Sequence, residues 1–235
     1  MNFPPGDPNR EILSLIARGL GDLCEELVFV GGCATGLLVT TVRAQTIRMT
    51  EDVDLIAKVT SAQEYHAAES RLASRGFKHD MSPGAPICRW RYDEIKVDLM
   101  PSGTNVLGFH NRWYPLAIET ADRVILDNGM EIRLINAPTF IGTKLEAFKG
   151  RGNNDFLLSH DLEDIITVVD GRPELLSEME SAPQELRNYV ATQLSNLLKS
   201  RAFLEALPGH LPADTMSQKR LPTLIERLER LSQLG

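Results

Sequence analysis

Met49–Leu55 reads MTEDVDL, two aspartates two positions apart inside an apolar run. The surrounding Asp52–Val59 has strand character, and side chains along a strand alternate between its faces. Asp52 and Asp54 therefore project to one side while Val53 and Leu55 turn to the core. Upstream, Leu27–Gly32 reads LVFVGG, a short β-branched strand running into two glycines. The small-residue stretch that follows, CATGLLVTT, reads as a short helix. A strand ending in Gly31-Gly32 before a helix start leaves backbone N–H groups uncovered by side chains. Such groups and a positive helix end suit the phosphates of a nucleotide. Neither GxxxxGK[ST] nor GxGxxG occurs, so this is neither a P-loop nor a dinucleotide fingerprint.

Two carboxylates held a few Å apart repel, and a divalent cation removes that cost. Magnesium takes hard oxygen ligands and keeps several waters. Asp98, in the strand-like IKVDLM, is the third candidate, with Val97 and Leu99 pointing the opposite way. If that strand lies beside Asp52–Leu55, three carboxylates meet at the sheet surface. Three carboxylates can hold two metals about 3.5–4 Å apart, the arrangement used for in-line displacement at phosphorus. The plain alternative is a solvated strand end, since a lone D-x-D is weak evidence.

The chain has 235 residues, 43% of them hydrophobic and 24% charged, enough for one generous domain or two small ones. Its formal net charge of -7 argues against a generally basic nucleic-acid platform, though not against a local basic pocket. Cys24, Cys33 and Cys88 follow no CxxC spacing. The start MNFPPGDPNR has no basic region feeding an apolar one, and no apolar run approaches the roughly 18–20 residues of a membrane span. The expectation is a cytoplasmic protein with reduced thiols and no membrane partner.

Around the carboxylates the elements fall into order. Glu11–Leu20 has helical spacing, and Ser61–Arg75 is a helix capped by Ser61 with Glu64 three residues later. Cys88–Tyr92 and Ile95–Met100 are strands joined by the tight turn DE. From Ala137 the composition turns helical: Pro138–Lys149, His160–Val169, Ala182–Ala206 and Gln218–Leu234. In the last, Leu221, Leu224, Leu228 and Leu231 form a stripe that reads as core or as a partner seam. The predicted fold is α+β: a small mixed sheet flanked by helices over residues 1–135, and a helical half over 136–235 that completes the site.

FVGGCATGLL, RMTEDVDLI and KVDLM together resemble the nucleotidyltransferases of the polymerase-beta-like superfamily, whose sheet carries a glycine-rich motif, a [DE]-h-[DE] pair and a third carboxylate on a later strand. TKLEAFKGRGNNDFLLSHDLEDII resembles the AbiEii/AbiGii toxin branch, with its helical lysine and a later D-x-x-D-h step. The resemblance covers roughly 27–100 and 134–169. It implies a nucleotide-binding turn at Gly31 and Gly32, a metal-binding pair at Asp52 and Asp54, and a third carboxylate at Asp98. It further implies a phosphate-contacting Lys144 and an Asp161 that holds the site or that lysine in place. Gly-Gly replaces the Gly-Ser of many members, and His160 stands where a basic residue often precedes the aspartate.

The implied reaction is transfer of a nucleoside monophosphate from an NTP to a hydroxyl with release of pyrophosphate, using two Mg2+ ions or Mn2+. The acceptor is tRNA or another RNA, and the branch implies a toxin with a cognate antitoxin. Two other readings stay open: a small-molecule acceptor of the antibiotic type, and a catalytically silent nucleotide-binding module. Arg43, Arg48, Lys149 and Arg151 are the basic candidates. Arg48 leads them because it lies just before Thr50 and the carboxylates. Thr50 either bonds near the phosphates or satisfies backbone at the strand start. The five histidines have no ligand spacing, so zinc is not expected. HNRWYPL, His110–Leu116, either stacks a base or packs over the core. The oligomeric state is open.

Overall fold

The structure is a computed structural model and describes residues 7–41, 47–104 and 106–235; Arg43 lies outside them. In chain order the elements are α1 (Arg10–Leu20), β1 (Val28–Val30), α2 (Thr35–Leu38), β2 (Asp52–Ala57), α3 (Ala62–Ser74), β3 (Lys78–His79), β4 (Arg89–Tyr92), β5 (Ile95–Pro101), α4 (Tyr114–Glu119), β6 (Asp122–Ile125) and β7 (Glu131–Leu134). Then come α5 (Ala137–Arg151), α6 (His160–Gly171), α7 (Leu175–Glu180), α8 (Gln184–Leu198), α9 (Arg201–Ala206), α10 (Thr215–Gln218) and α11 (Leu221–Leu231). The class is the expected α+β, a small mixed sheet flanked by helices with a helical C-terminal half. The described residues divide into two compact units: 7–34 with 48–104 and 106–136, and 35–41 with 47 and 137–235.

The first unit is built on a sheet of order β3-β4-β5-β2-β1-β7-β6. β2 pairs antiparallel with β1 and parallel with β5, so it lies at the centre. Its sequence explains that place: Val53 and Leu55 are fully buried, while Asp52 and Asp54 on the alternate face are only half-buried. α3 starts where its capping box dictates. The Ser61 side chain accepts from the Glu64 N–H, and the Glu64 carboxylate accepts from the Ser61 N–H. In the HNRWYPL segment Asn111 and Trp113 are buried while His110, Arg112 and Pro115 are exposed; the Trp113 backbone N–H donates to Asn111 Oδ1 at 3.1 Å, and Tyr114 opens α4.

The sequence reading assigns no strand between Met100 and Ala137, yet β6 and β7 form a hairpin there. Its signal is LDNGM at 126–130: Asn128-Gly129 between alternating apolar residues, with Gly129 at φ +80°. β7 then pairs parallel with β1, a long-range contact that local pattern does not reveal.

In the second unit, the expected Ala182–Ala206 helix is broken. α8 ends at Leu198 and Ser200 caps α9, its hydroxyl accepting from the Phe203 N–H at 3.3 Å. α11 starts later than its apolar spacing implies, because Pro222 favours a first-turn position. Leu224, Leu228 and Leu231 of the leucine stripe are buried within the chain, and Leu221 is half-buried. No helix among the described residues is long and apolar enough to cross a membrane.

Candidate active site

A cross-strand row carries the candidate chemistry. Val30 on β1 pairs with Asp54 on β2, Asp54 with Asp98 on β5, and Asp98 with Arg89 on β4. The sheet thus sets two of the sequence-identified aspartates side by side. Asp52 lies one row away on the same face, opposite Lys96.

The turn after β1 is pressed against this row. Gly31 has φ +73°, a conformation that favours glycine, and a Cβ built on it would lie 1.8 Å from Asp54 Oδ2 and 2.8 Å from Asp54 Cβ. Gly31 is therefore a glycine for two reasons, its backbone angle and its contact with a candidate carboxylate. Gly32 begins a single 3-10 turn, Gly32–Ala34, and is buried. The helix expected next has four residues, so few peptide dipoles align in it.

Arg89 is the residue the sequence reading missed. Its Nε donates to Asp98 Oδ1 at 2.8 Å, and its Nη2 donates to Asp98 Oδ2 at 2.7 Å and to Asp52 Oδ2 at 3.3 Å. The hydrogen bonds from Arg89 to Asp98 hold the guanidinium pKa above its ordinary value despite burial. The signal was available. The two-residue DE turn pairs Tyr92 with Ile95, and counting back in register puts Arg89 opposite Asp98. Cys88, next to it, is buried; burial first, and then the Asp98 charge, push its thiol up to about 12, so it stays protonated.

Thr50 is buried at the entry to β2. Its N–H donates to Asn9 Oδ1 at 2.8 Å and its hydroxyl to the Asp52 carbonyl at 3.2 Å, which fastens the strand start. Arg48 is half-buried, and its carbonyl accepts from Asn9 Nδ2 at 2.9 Å.

The donor set at the row is all carboxylate oxygen, chemistry that suits a hard divalent cation. The cation that bridges Asp98 and Asp52 in the structure is the Arg89 guanidinium. Among the described residues, no group of three or more His, Cys, Asp or Glu side chains converges closely enough to hold a metal ion.

The second unit holds the other two sequence-identified residues. Lys144 on α5 is buried, its Nζ 2.6 Å from Asp164 Oδ2 and 3.3 Å from Asp161 Oδ1, both on α6. Arg151 grips Asp161 through Nε and Nη2, each at 2.9 Å. Asp164 thus approaches the lysine more closely than Asp161 does, while Asp161 ties the lysine to the arginine. His160 is exposed and faces Glu163 at 3.2 Å.

Burial acts to raise the pKa of Asp161. Hydrogen bonds from Arg151 and the charges of Lys144 and Arg151 outweigh it and hold the carboxyl below the usual range. A depressed folded pKa stabilises the fold above the ordinary carboxylate value, about 3.9, and that contribution is lost as pH falls through the folded pKa. Denaturant unfolding at several pH values is therefore expected to show a steeper loss of stability below about pH 4 in the wild type than in Asp161→Asn. Parallel curves would remove Asp161 as a source of acid sensitivity.

The site is thus of the class that sets paired carboxylates on a sheet face beside a glycine turn. No protein-family model matches the chain, and no curated protein sequence does. Three solved structures are similar to it in outline. An antigenic nucleotidyltransferase-like protein from Paracoccidioides brasiliensis is 24% identical, with 87% of this chain and 94% of that one covered and a TM-score of 0.48. The antibiotic-resistance factor ANT(2'')-Ia is 13% identical over 80% and 94%, with a TM-score of 0.45. A putative nucleotidyltransferase from H. pylori is 13% identical over 96% and 92%, with a TM-score of 0.44. All three scores lie below 0.5 and carry no functional argument.

Proposed function

We propose that this chain is a nucleotidyltransferase that moves a nucleoside monophosphate from an NTP to a hydroxyl acceptor. The observation that carries the reading is the row that sets Asp54 beside Asp98, with Asp52 on the same face and Gly31 packed against Asp54. The motif resemblance supplies the chemistry that such a row performs. In the proposed step the acceptor oxygen bonds to the α-phosphorus as the bond to the bridging oxygen breaks. Pyrophosphate leaves with that electron pair, and the hydroxyl proton passes to water.

Asp52 and Asp54 would hold Mg2+, with Asp98 as the third carboxylate. When bound, the ion offsets triphosphate charge and acidifies the acceptor hydroxyl. Gly31 and Gly32 are proposed as the phosphate-binding turn. Arg48 is proposed as a further phosphate contact, and Thr50 acts by holding the strand that carries both aspartates. Lys144 is proposed to meet phosphate, with Asp161 fixing it. An RNA acceptor, a toxin role and an antitoxin partner rest on the resemblance to the AbiEii/AbiGii branch.

The test is incubation of the protein with Mg2+, each α-labelled NTP in turn and total small RNA, beside Asp54→Asn. Label on RNA with the wild type alone is the expected result. Label on neither RNA nor protein, with NTP still bound, would move the acceptor to a small molecule. Failure to bind NTP would overturn the enzyme reading.

A further inference from the structure

We propose that Arg89 is a displaceable internal counter-ion, holding the Asp98 and Asp52 carboxylates together until a divalent cation and a nucleoside triphosphate arrive to replace it. The inference rests on the nucleotidyltransferase reading and concerns the regulation of that same row.

An ordinary cross-strand ion pair would join Arg89 to Asp98, its direct neighbour, and stop there. Here the guanidinium spends Nε and Nη2 on both oxygens of Asp98, then reaches across β5 to Asp52 on β2. It therefore lies over the carboxylate group rather than beside it. A divalent ion would need oxygens that this fork already engages, and two cations on the same oxygens repel. Lys96, opposite Asp52, is paired with Glu51, its Nζ 2.8 Å from Oε2.

Displacement is physically open to this side chain. Arg89 is the first residue of β4, and its side chain is 19% exposed, while that of Asp52 is 37% exposed. A flexible stem at a partly exposed position can carry the guanidinium away without moving the strand. An arriving triphosphate offers the planar guanidinium a pair of phosphate oxygens, a bidentate partner in place of Asp98. The arrangement thus makes metal and nucleotide binding mutually dependent: the ion alone has to expel the arginine, whereas the ion with a triphosphate provides the arginine with a new partner.

The experiment is titration of Mn2+ followed by the EPR signal of the free ion, for wild type, Arg89→Gln, Arg89→Lys and Asp54→Asn, with and without a non-hydrolysable NTP analogue. Folding is checked by circular dichroism. Arg89→Gln is expected to bind Mn2+ at least tenfold more tightly than wild type without nucleotide, and Arg89→Lys to fall between them. The analogue is expected to tighten Mn2+ binding in the wild type far more than in Arg89→Gln. Should Arg89→Gln fail to fold, Arg89→Lys carries the comparison, because an ammonium cannot fork across Asp98. Equal or weaker Mn2+ affinity in the arginine variants, with binding lost in Asp54→Asn, would overturn the counter-ion and leave the metal site standing. Absence of Mn2+ binding in every protein, nucleotide included, would overturn both.

Discussion

Replacing Gly31 with alanine is expected to destabilise the fold by about 2–5 kcal/mol and to remove the proposed transfer activity with it. About 1–2 kcal/mol comes from placing an L-residue in the left-handed region at φ +73°. A further 1–3 kcal/mol or so comes from overpacking, since the new Cβ would meet Asp54 Oδ2 at 1.8 Å, Cγ at 2.6 Å and Cβ at 2.8 Å. A clash with a distal oxygen alone is relieved by rotation. Here the Asp54 Cβ is also in the way, so strand or turn must shift, and the aspartate moves with it. The check is denaturant unfolding of Gly31→Ala, Asp54→Ala and the double variant. Asp54→Ala removes the two closest contacts but not the backbone strain, so the two effects are expected to be non-additive by at least about 1 kcal/mol. Additivity would mean that the turn and the carboxylate are not in contact.

Lys144→Met is expected to cost about 3–5 kcal/mol, whereas Arg151→Met is expected to cost less than about 1 kcal/mol. The two cations share Asp161, but they differ in burial: the Lys144 side chain is 9% exposed and that of Arg151 73%. Removing the lysine leaves Asp164, 3% exposed, without the ammonium 2.6 Å from it. Asp161 keeps its fork from Arg151. Methionine restores the volume of the stem, so the loss reports charge rather than a cavity. In a thermal melt the difference should appear as a fall of about 6–20 °C for Lys144→Met. Equal, small effects for both variants would show that the aspartates are hydrated and the lysine is structurally dispensable.

Much of the carboxylate face was legible because its information is local. Alternation in DVDLI places Val53 and Leu55 inward and both aspartates on the other face, and the DE turn sets the register of the hairpin that carries Asp98. The same register contains Arg89, which no acidic motif marks because its partner lies on the neighbouring strand. Ser61 with Glu64 declared its helix start, since a capping box is satisfied within four residues. The break at Lys199–Ser200 was hidden by apolar spacing that runs through it. β6 was readable from Asn128-Gly129, but the parallel pairing of β7 with β1 joins segments about a hundred residues apart and has no local signature.

By itself, then, the sequence determined which strands carry the acids, which faces they occupy, and that Lys144 and Asp161 sit on helices. Only the tertiary structure decided that Asp54 touches Gly31, that Arg89 bridges Asp98 to Asp52, and that Asp164 approaches Lys144 more closely than Asp161 does. The reason is physical. A strand or helix period is set by the backbone of one segment. The distance between two charged groups on different segments is set by packing and by the balance of desolvation against pairing, which no single segment contains.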